Sequence, residues 1–264
     1  MPNVLFKEQR IFYKDSGQGK TIVLLHGFTE SQKIWNHFAK ILSKEFRIIT
    51  IDLPGHGKSE CVDGIHTMEL QAEVVNAVLR KLNVRKYVMI GHSMGGYVTL
   101  AFAGKFPSRL KGICIFHSHC FPDSPDDREI RNRTIELVRN DKFGFLTGFI
   151  PNLFPQEVQE KFSGKINALV REAEKMPKEG IIAALEGMKI RKDQSAFLST
   201  TSLPVLFILG LKDSKAPLSR LWEMISLPHH SESLILRDAG HMGYIEEPKM
   251  TLEAVRHFAW KALG

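Results

Sequence analysis

A serine stands among small residues in Gly91-His92-Ser93-Met94-Gly95-Gly96, directly after the apolar run Tyr87–Ile90 and directly before a helical pattern opening Tyr97-Val98-Thr99-Leu100-Ala101. On a strand-to-helix turn such a serine is forced into a strained backbone conformation, which glycine neighbours make sterically possible. The turn lifts Oγ clear of the sheet, and the following helix aims its first amides at the same point. The chemistry this suits is nucleophilic attack on an acyl carbon. A tight glycine turn with an incidental serine is the plainer alternative, and the strand before and helix after speak against it.

A serine hydroxyl is a poor nucleophile at neutral pH and needs a base that is itself oriented by a carboxylate. Of eleven histidines the best placed is His241, in Asp238-Ala239-Gly240-His241-Met242-Gly243-Tyr244, between the last strand pattern and the last helix pattern. The carboxylate is expected earlier, in the chain order serine, acid, histidine. Asp213, in Gly210-Leu211-Lys212-Asp213-Ser214, ends the apolar run Val205–Leu209 and fits that order. Asp238 competes, but it shares a connection with His241 and suits loop structure better. Acyl transfer also gathers negative charge on the former carbonyl oxygen, which two amides must stabilise. The N–H of Met94, next after the nucleophile, is one. The N–H of Phe28, in the turn His26-Gly27-Phe28-Thr29, is the other expected donor.

A second cluster, His117-Ser118-His119-Cys120, carries residue types that ligate zinc or copper. Alternation along a strand would put His117 and His119 on one face, but no second ligand pair at metal-site spacing follows. These side chains are expected to line the pocket beside Ser93 instead, with no metal and no organic cofactor.

The elements that must position these residues are short β-rich runs alternating with helical patterns, the mark of a mostly parallel sheet covered by helices. Eight strands are predicted, near 3–7, 10–15, 21–26, 46–52, 86–92, 110–117, 204–210 and 232–237. Helices are predicted over 67–82, 94–105 and 247–263, where apolar residues recur at spacings of three and four, as in Leu70, Val74, Val75, Val78 and Leu82. Between the sixth and seventh strands the alternation breaks. Residues 120–200 read as short helices separated by Pro122, Pro125, Pro151, Pro155 and Pro177, too long a stretch for a plain loop. The expected organisation is an α/β core of residues 1–119 and 201–264 with a helical cap inserted at 120–200. Within it Phe121, Phe143, Phe145, Phe149, Phe154, Phe162 and Phe197, with Met176 and Met188, would form the cap's own core and its seam with the sheet. Any that face inward favour an apolar substrate group over a sugar or phosphate.

The order of Leu25-His26-Gly27-Phe28, Asp52-Leu53-Pro54-Gly55-His56-Gly57-Lys58-Ser59, Gly91-His92-Ser93-Met94-Gly95-Gly96, Gly210-Leu211-Lys212-Asp213 and Gly240-His241 resembles the α/β-hydrolase superfamily over nearly the whole chain. Ser93-Met94-Gly95-Gly96-Tyr97-Val98 and Phe121-Pro122-Asp123-Ser124-Pro125 are similar to its capped esterases, enol-lactonases and cofactor-free haloperoxidases. The resemblance implies a triad of Ser93, Asp213 and His241. Haloalkane dehalogenases and epoxide hydrolases of the superfamily use a carboxylate nucleophile, which Ser93 is not. The menaquinone-pathway synthase also looks similar, but an arginine stands where this chain has Tyr97.

The expected activity is that of a serine hydrolase cleaving a carboxylic ester, lactone or thioester. Two rivals use the same residues: carbon–carbon hydrolysis, lyase or perhydrolase chemistry, or a receptor that keeps the pocket with little turnover.

At 264 residues, 43% hydrophobic and 25% charged, the composition is ordinary for a globular chain and excludes a disordered, collagenous or coiled-coil one. Three cysteines without paired spacing offer no disulfide framework. The N-terminal residues lack a signal-peptide core and no stretch approaches a membrane span, so a cytoplasmic setting is expected. The net charge of +7 lies wholly within residues 1–119, which carry 16 basic and 9 acidic side chains. Lys44, Arg47, Arg80, Lys81, Arg85, Lys86, Lys105, Arg109 and Lys111 fall at helix ends or before strands, on the edge opposite the catalytic loops. They there offset helix dipoles. The charge therefore gives no reason to expect nucleic acid, a membrane or an anionic substrate; the expected partner is a small ester-like molecule.

Overall fold

A computed structural model describes residues 2–215 and 218–264. Eight strands form one sheet: β1 (Asn3–Phe6), β2 (Gln9–Ser16), β3 (Thr21–Leu25), β4 (Arg47–Ile51), β5 (Tyr87–His92), β6 (Leu110–Phe116), β7 (Val205–Gly210) and β8 (Ser231–Leu236). Their order is β1-β2-β4-β3-β5-β6-β7-β8. β1 and β2 pair antiparallel with each other, and β2 pairs antiparallel with β4. From β4 onward every ladder is parallel. β3, β5 and β7 are buried along their whole length, which explains their unbroken apolar sequences.

The helices are α1 (Asn36–Leu42), α2 (Met68–Lys81), α3 (Met94–Lys105), α4 (Pro125–Asn140), α5 (Lys142–Phe149), α6 (Ser163–Ala173), α7 (Lys178–Lys189), α8 (Ser195–Thr200), α9 (Leu218–Ile225), α10 (Gly243–Glu246) and α11 (Pro248–Leu263). Their starts follow local chemistry. The Thr67 side chain accepts from the Leu70 amide at 3.0 Å to open α2, and Ser124 with Asp127 builds a reciprocal cap on α4. Pro248 supplies the first turn of α11 without losing a needed amide. The start of α3 differs. Ser93 occupies its cap position, yet its hydroxyl caps no amide and is left for other use.

Helices α4–α8 fill the interval between β6 and β7, where sequence periodicity finds no strand. They are tied to the sheet's loops by backbone. His66 N–H donates to Ala183 O at 2.9 Å, and Gly180 of α7 lies so close to Gly55 that a Cβ there would stand 2.5 Å from the Gly55 carbonyl. The short helices α1, α9 and α10 are not evident from periodicity, since four to eight residues give too few repeats of a helical period. Arg80 and Lys81 close α2 and Lys105 closes α3, as their placement before strands requires. Among the described residues no helix is long and apolar enough to cross a membrane.

Candidate active site

The parallel ladders bring the carboxyl ends of β3, β5, β6, β7 and β8 side by side. Ser93 follows β5 with φ 50° and ψ −116°, in the sterically costly region that a sharp elbow demands. Its amide donates to Phe116 O at 2.9 Å, anchoring the elbow on β6. The elbow closes only because its neighbours lack side chains. A Cβ on Gly95 would stand 2.6 Å from the carbonyl oxygens of both Leu25 and His26, and one on Gly91 would meet Gly95 O.

His241 and Asp213 converge on this serine. The Ser93 hydroxyl donates to His241 Nε2 at 2.8 Å, and His241 Nδ1–H donates to Asp213 Oδ2 at 2.8 Å. The other oxygen of Asp213 accepts from the Lys215 amide at 2.8 Å. Burial raises the Asp213 carboxyl, but the charge of His241 and hydrogen bonds from His117 and His241 overcome this and hold it well below the usual carboxylate range. Asp238, the competing acid, is 74% exposed at its side chain and pairs with Lys212 at 3.5 Å. The insertion takes part as well: His241 N–H donates to Leu153 O at 2.9 Å.

The expectation that His117 and His119 share a strand face is not met, because β6 stops at Phe116 and His117 turns into the left-handed region at φ 47°. The two rings diverge. His117 Nδ1–H donates to Asp213 Oδ2 at 3.2 Å, so one carboxylate oxygen serves two histidines. Burial pushes His117 down to about 4, which keeps the ring neutral. His119 instead meets the Tyr97 hydroxyl through Nε2 at 3.1 Å. His117, Asp213 and His241 gather three ligand-type atoms. Here the two nitrogens are used as hydrogen-bond donors to one carboxylate oxygen, at 3.2 and 2.8 Å. The cysteines lie outside this chemistry, and burial pushes the Cys120 thiol up to about 12.

The turn after β3 packs on the elbow. A Cβ on Gly27 would lie 3.1 Å from Ser93 Cβ, which sets the backbone leading to Phe28 beside Ser93. Met94 is the first residue of α3, so its amide has no intrahelical acceptor. Beneath the turn lies a buried charged pair that sequence reasoning did not find. Glu30 Oε2 accepts from Gly27 N–H at 2.6 Å and from His92 Nδ1–H at 2.9 Å, while Oε1 accepts from the Tyr244 hydroxyl at 2.8 Å. His92 Nε2–H donates to His241 O at 2.9 Å. Burial would raise Glu30, but the His92 charge and these donors bring it to about 2. Burial likewise opposes charge on His92, and Glu30 reverses this, leaving His92 raised above its ordinary value.

Aromatic side chains of the insertion close over the turn. The Phe28 ring lies 6.3 Å from Phe145 and 5.7 Å from Phe149, centroid to centroid. Phe154 and Phe162 pair within the insertion, whereas Phe143 points outward and is 57% exposed. Where an arginine follows the elbow in the menaquinone-pathway synthase, this chain has Tyr97, and Arg191 from the end of α7 stacks 4.3 Å from the centre of the Tyr97 ring. Arg191 pairs with buried Asp123, which Arg131 also contacts, and donates to the carbonyls of Phe121 and Met188 at 2.9 and 3.0 Å.

Similar architecture recurs in characterised proteins. An esterase from Thermogutta terrifontis, solved with malate bound, is 32% identical with a TM-score of 0.92, covering 97% of this chain and 95% of its own. The enol-lactonase from Burkholderia xenovorans LB400 shares the fold at 22% identity, with a TM-score of 0.90 and coverage of 97% and 99%. The 2-hydroxy-6-oxononadienedioate/2-hydroxy-6-oxononatrienedioate hydrolase of Escherichia coli (strain K12 / DH10B) is 26% identical over 272 residues, 96% of this chain and 91% of that protein. With the family model for the alpha/beta hydrolase fold matching residues 20–248, the chain belongs to the α/β-hydrolase-fold family.

Proposed function

We propose that the chain is a serine hydrolase that cleaves a carboxylic ester, lactone or thioester of a small, largely apolar substrate. The observation that carries this reading is the continuous relay from Ser93 Oγ to His241 Nε2 and from His241 Nδ1 to Asp213 Oδ2, each link 2.8 Å, on a serine held at φ 50°. His241 takes the Ser93 proton as Oγ attacks the carbonyl carbon. The amides of Phe28 and Met94 receive the charge that develops on the carbonyl oxygen. His241 then protonates the departing alkoxide or thiolate, and water, deprotonated by the same ring, releases the acid from Ser93. Asp213 keeps the Nδ1–H tautomer and stabilises the imidazolium. No step calls on a metal or an organic cofactor.

Residues 120–200 act in this reading as a cap on the core of residues 1–119 and 201–264. Phe145 and Phe149 against Phe28 favour an apolar acyl group beside the oxyanion turn. A carbon–carbon hydrolase is the second reading, favoured by the Escherichia coli relative. Arg131 and Arg191 are both paired with Asp123, and the rings of Phe28, Phe145 and Phe149 offer an apolar surface that suits an ester better than a diacid. The ester reading is therefore preferred. Ser93→Ala is expected to lower turnover of an activated ester by several orders of magnitude and to abolish labelling by a fluorophosphonate probe. Retained labelling overturns the reading, and faster cleavage of a β-diketone than of matched esters replaces it with the second.

A further inference from the structure

Two acceptors flank the imidazole of His92. Nδ1 faces the Glu30 carboxylate at 2.9 Å and Nε2 faces the His241 carbonyl at 2.9 Å. Glu30, which also accepts from Gly27 N–H and the Tyr244 hydroxyl, is held as a carboxylate; neither it nor a carbonyl can then donate, so both ring nitrogens carry protons and the ring is an imidazolium. Glu30 supplies the countercharge. Four segments therefore meet on one ion pair: the turn after β3, the last residue of β5, the His241 loop and α10.

A buried ion pair is a poor stabiliser, because desolvation consumes most of its attraction and apolar residues of similar size often do as well. Position accounts better for this one. His92 is covalently adjacent to Ser93, and its ring lies 5.2 Å from the His241 ring. Glu30 holds the amide one residue before Phe28. We infer that Glu30 and His92 form a buried charged clamp that fixes the distance between the oxyanion turn and the His241 loop around Ser93. They are positioning residues, since neither is placed to touch the reacting atoms. The inference rests on the serine-hydrolase reading of the site and adds two residues to it.

The groups facing His92 are Glu30, Tyr244 with its ring at 5.1 Å, His241, and His117 with its ring at 6.1 Å; the Asp213 charge also favours the cation, and the buried ring of His26 after β3 feels the His92 charge in turn. Of these, Glu30 alone accepts a hydrogen bond from a His92 ring nitrogen through a charged group, so its removal should discharge the ring.

The test combines a spectroscopic and a kinetic measurement. Nitrogen-15 NMR of the wild-type protein should show both His92 ring nitrogens protonated from pH 6 to 8, and Glu30→Gln should return the ring to a neutral tautomer within that range. With an activated ester, Glu30→Gln and His92→Gln should each lower kcat by about a hundredfold while KM stays within about threefold, and Glu30→Asp should recover part of the loss. A neutral His92 in the wild type overturns the clamp whether or not the variants fold. So does a kcat within about threefold of wild type in a folded Glu30→Gln. The NMR signature needs no turnover, so failure of Ser93-dependent hydrolysis would refute the parent reading without being mistaken for failure of the clamp.

Discussion

His117 and His241 turn the same ring nitrogen, Nδ1, toward a single oxygen of Asp213, at 3.2 and 2.8 Å. The carboxylate thus has two donors on Oδ2 and an amide donor on Oδ1. Asp213→Asn would present an amide where His241 needs an acceptor and favour the wrong tautomer, so kcat should fall by about 10⁴ in a folded protein. His117→Phe is milder. It removes one donor from Asp213 and also a buried Nε2 with no partner among the described residues, so kcat should fall about tenfold with little change in melting temperature. Ester kinetics and thermal melts on the two variants check both, and equal losses would contradict the division of labour.

Acid stability should be set by buried neutral histidines. His56 and His119 are lowered to about 3 and His66 and His117 to about 4, in each case first by burial. The unfolded chain binds protons at these rings near 6.5, so between about pH 6.5 and 4 it holds more protons than the folded protein and stability falls as pH drops. Each ring adds up to about 1.4 kcal/mol per pH unit. Glu30 extends the loss downward: its contribution is present above its ordinary value of 4.5 and disappears as pH falls toward about 2. His92, raised by Glu30, acts oppositely; its contribution is full below 6.5 and is lost as pH rises through its folded value. Thermal melts from pH 4 to 8 should show a steep acid limb, shallower in His119→Phe. An unchanged slope in that variant would refute the assignment.

Ser93, Asp213 and His241 are legible in the sequence because each sits just past a strand whose apolar run marks where the sheet ends. Their convergence then follows from a parallel sheet. The strands themselves are legible for the same reason, each lying within a residue or two of its expected bounds. Glu30, His92 and Tyr244 are not. Their partners lie 62, 149 and 214 residues away along the chain, and no local pattern separates a buried glutamate in a turn from an exposed one. His117 shows where alternation fails: one left-handed residue at the end of β6 sends its ring to Asp213 and leaves His119 to Tyr97.

Gly95 packs the elbow directly against the end of β3 and the turn that leads to Phe28. A methyl group there would press on the carbonyls of Leu25 and His26 at 2.6 Å, both of them backbone that cannot swing aside. Gly95→Ala should therefore push the turn bearing Phe28 away from Ser93 and lower kcat by on the order of a hundredfold. Fluorophosphonate labelling should slow in parallel. Wild-type labelling with lowered stability alone would show that the contact matters to folding and not to the turn's placement.

Arg191 anchors the end of α7 to the loop after β6. Its partner Asp123 is buried and shares its second oxygen with Arg131. Arg191→Met would leave that carboxylate half paired and the Phe121 carbonyl without its side-chain donor, at a cost of about 3–5 kcal/mol. Chemical denaturation should show the loss. Asp123→Asn with Arg191→Met should recover part of it, since the buried charge is then removed from both sides; a double variant less stable than the single one would contradict this account.

Phe145 and Phe149 stack on each other at 5.2 Å and face Phe28 across the seam between insertion and core. If they wall the acyl pocket, truncation should change selectivity more than general activity. Phe149 is half-buried and the less committed to packing, so Phe149→Ala should cost little stability, whereas Phe145→Ala opens a cavity at a cost of about 3–5 kcal/mol. For Phe149→Ala, kcat/KM should fall about tenfold on aromatic or medium-chain esters, as lost apolar contact of this size implies. Acetate esters, too short to reach the ring, should change little. A panel graded by acyl length separates the outcomes: a uniform drop across all lengths would place Phe149 in support of the oxyanion turn, and no drop at any length would remove it from the pocket wall.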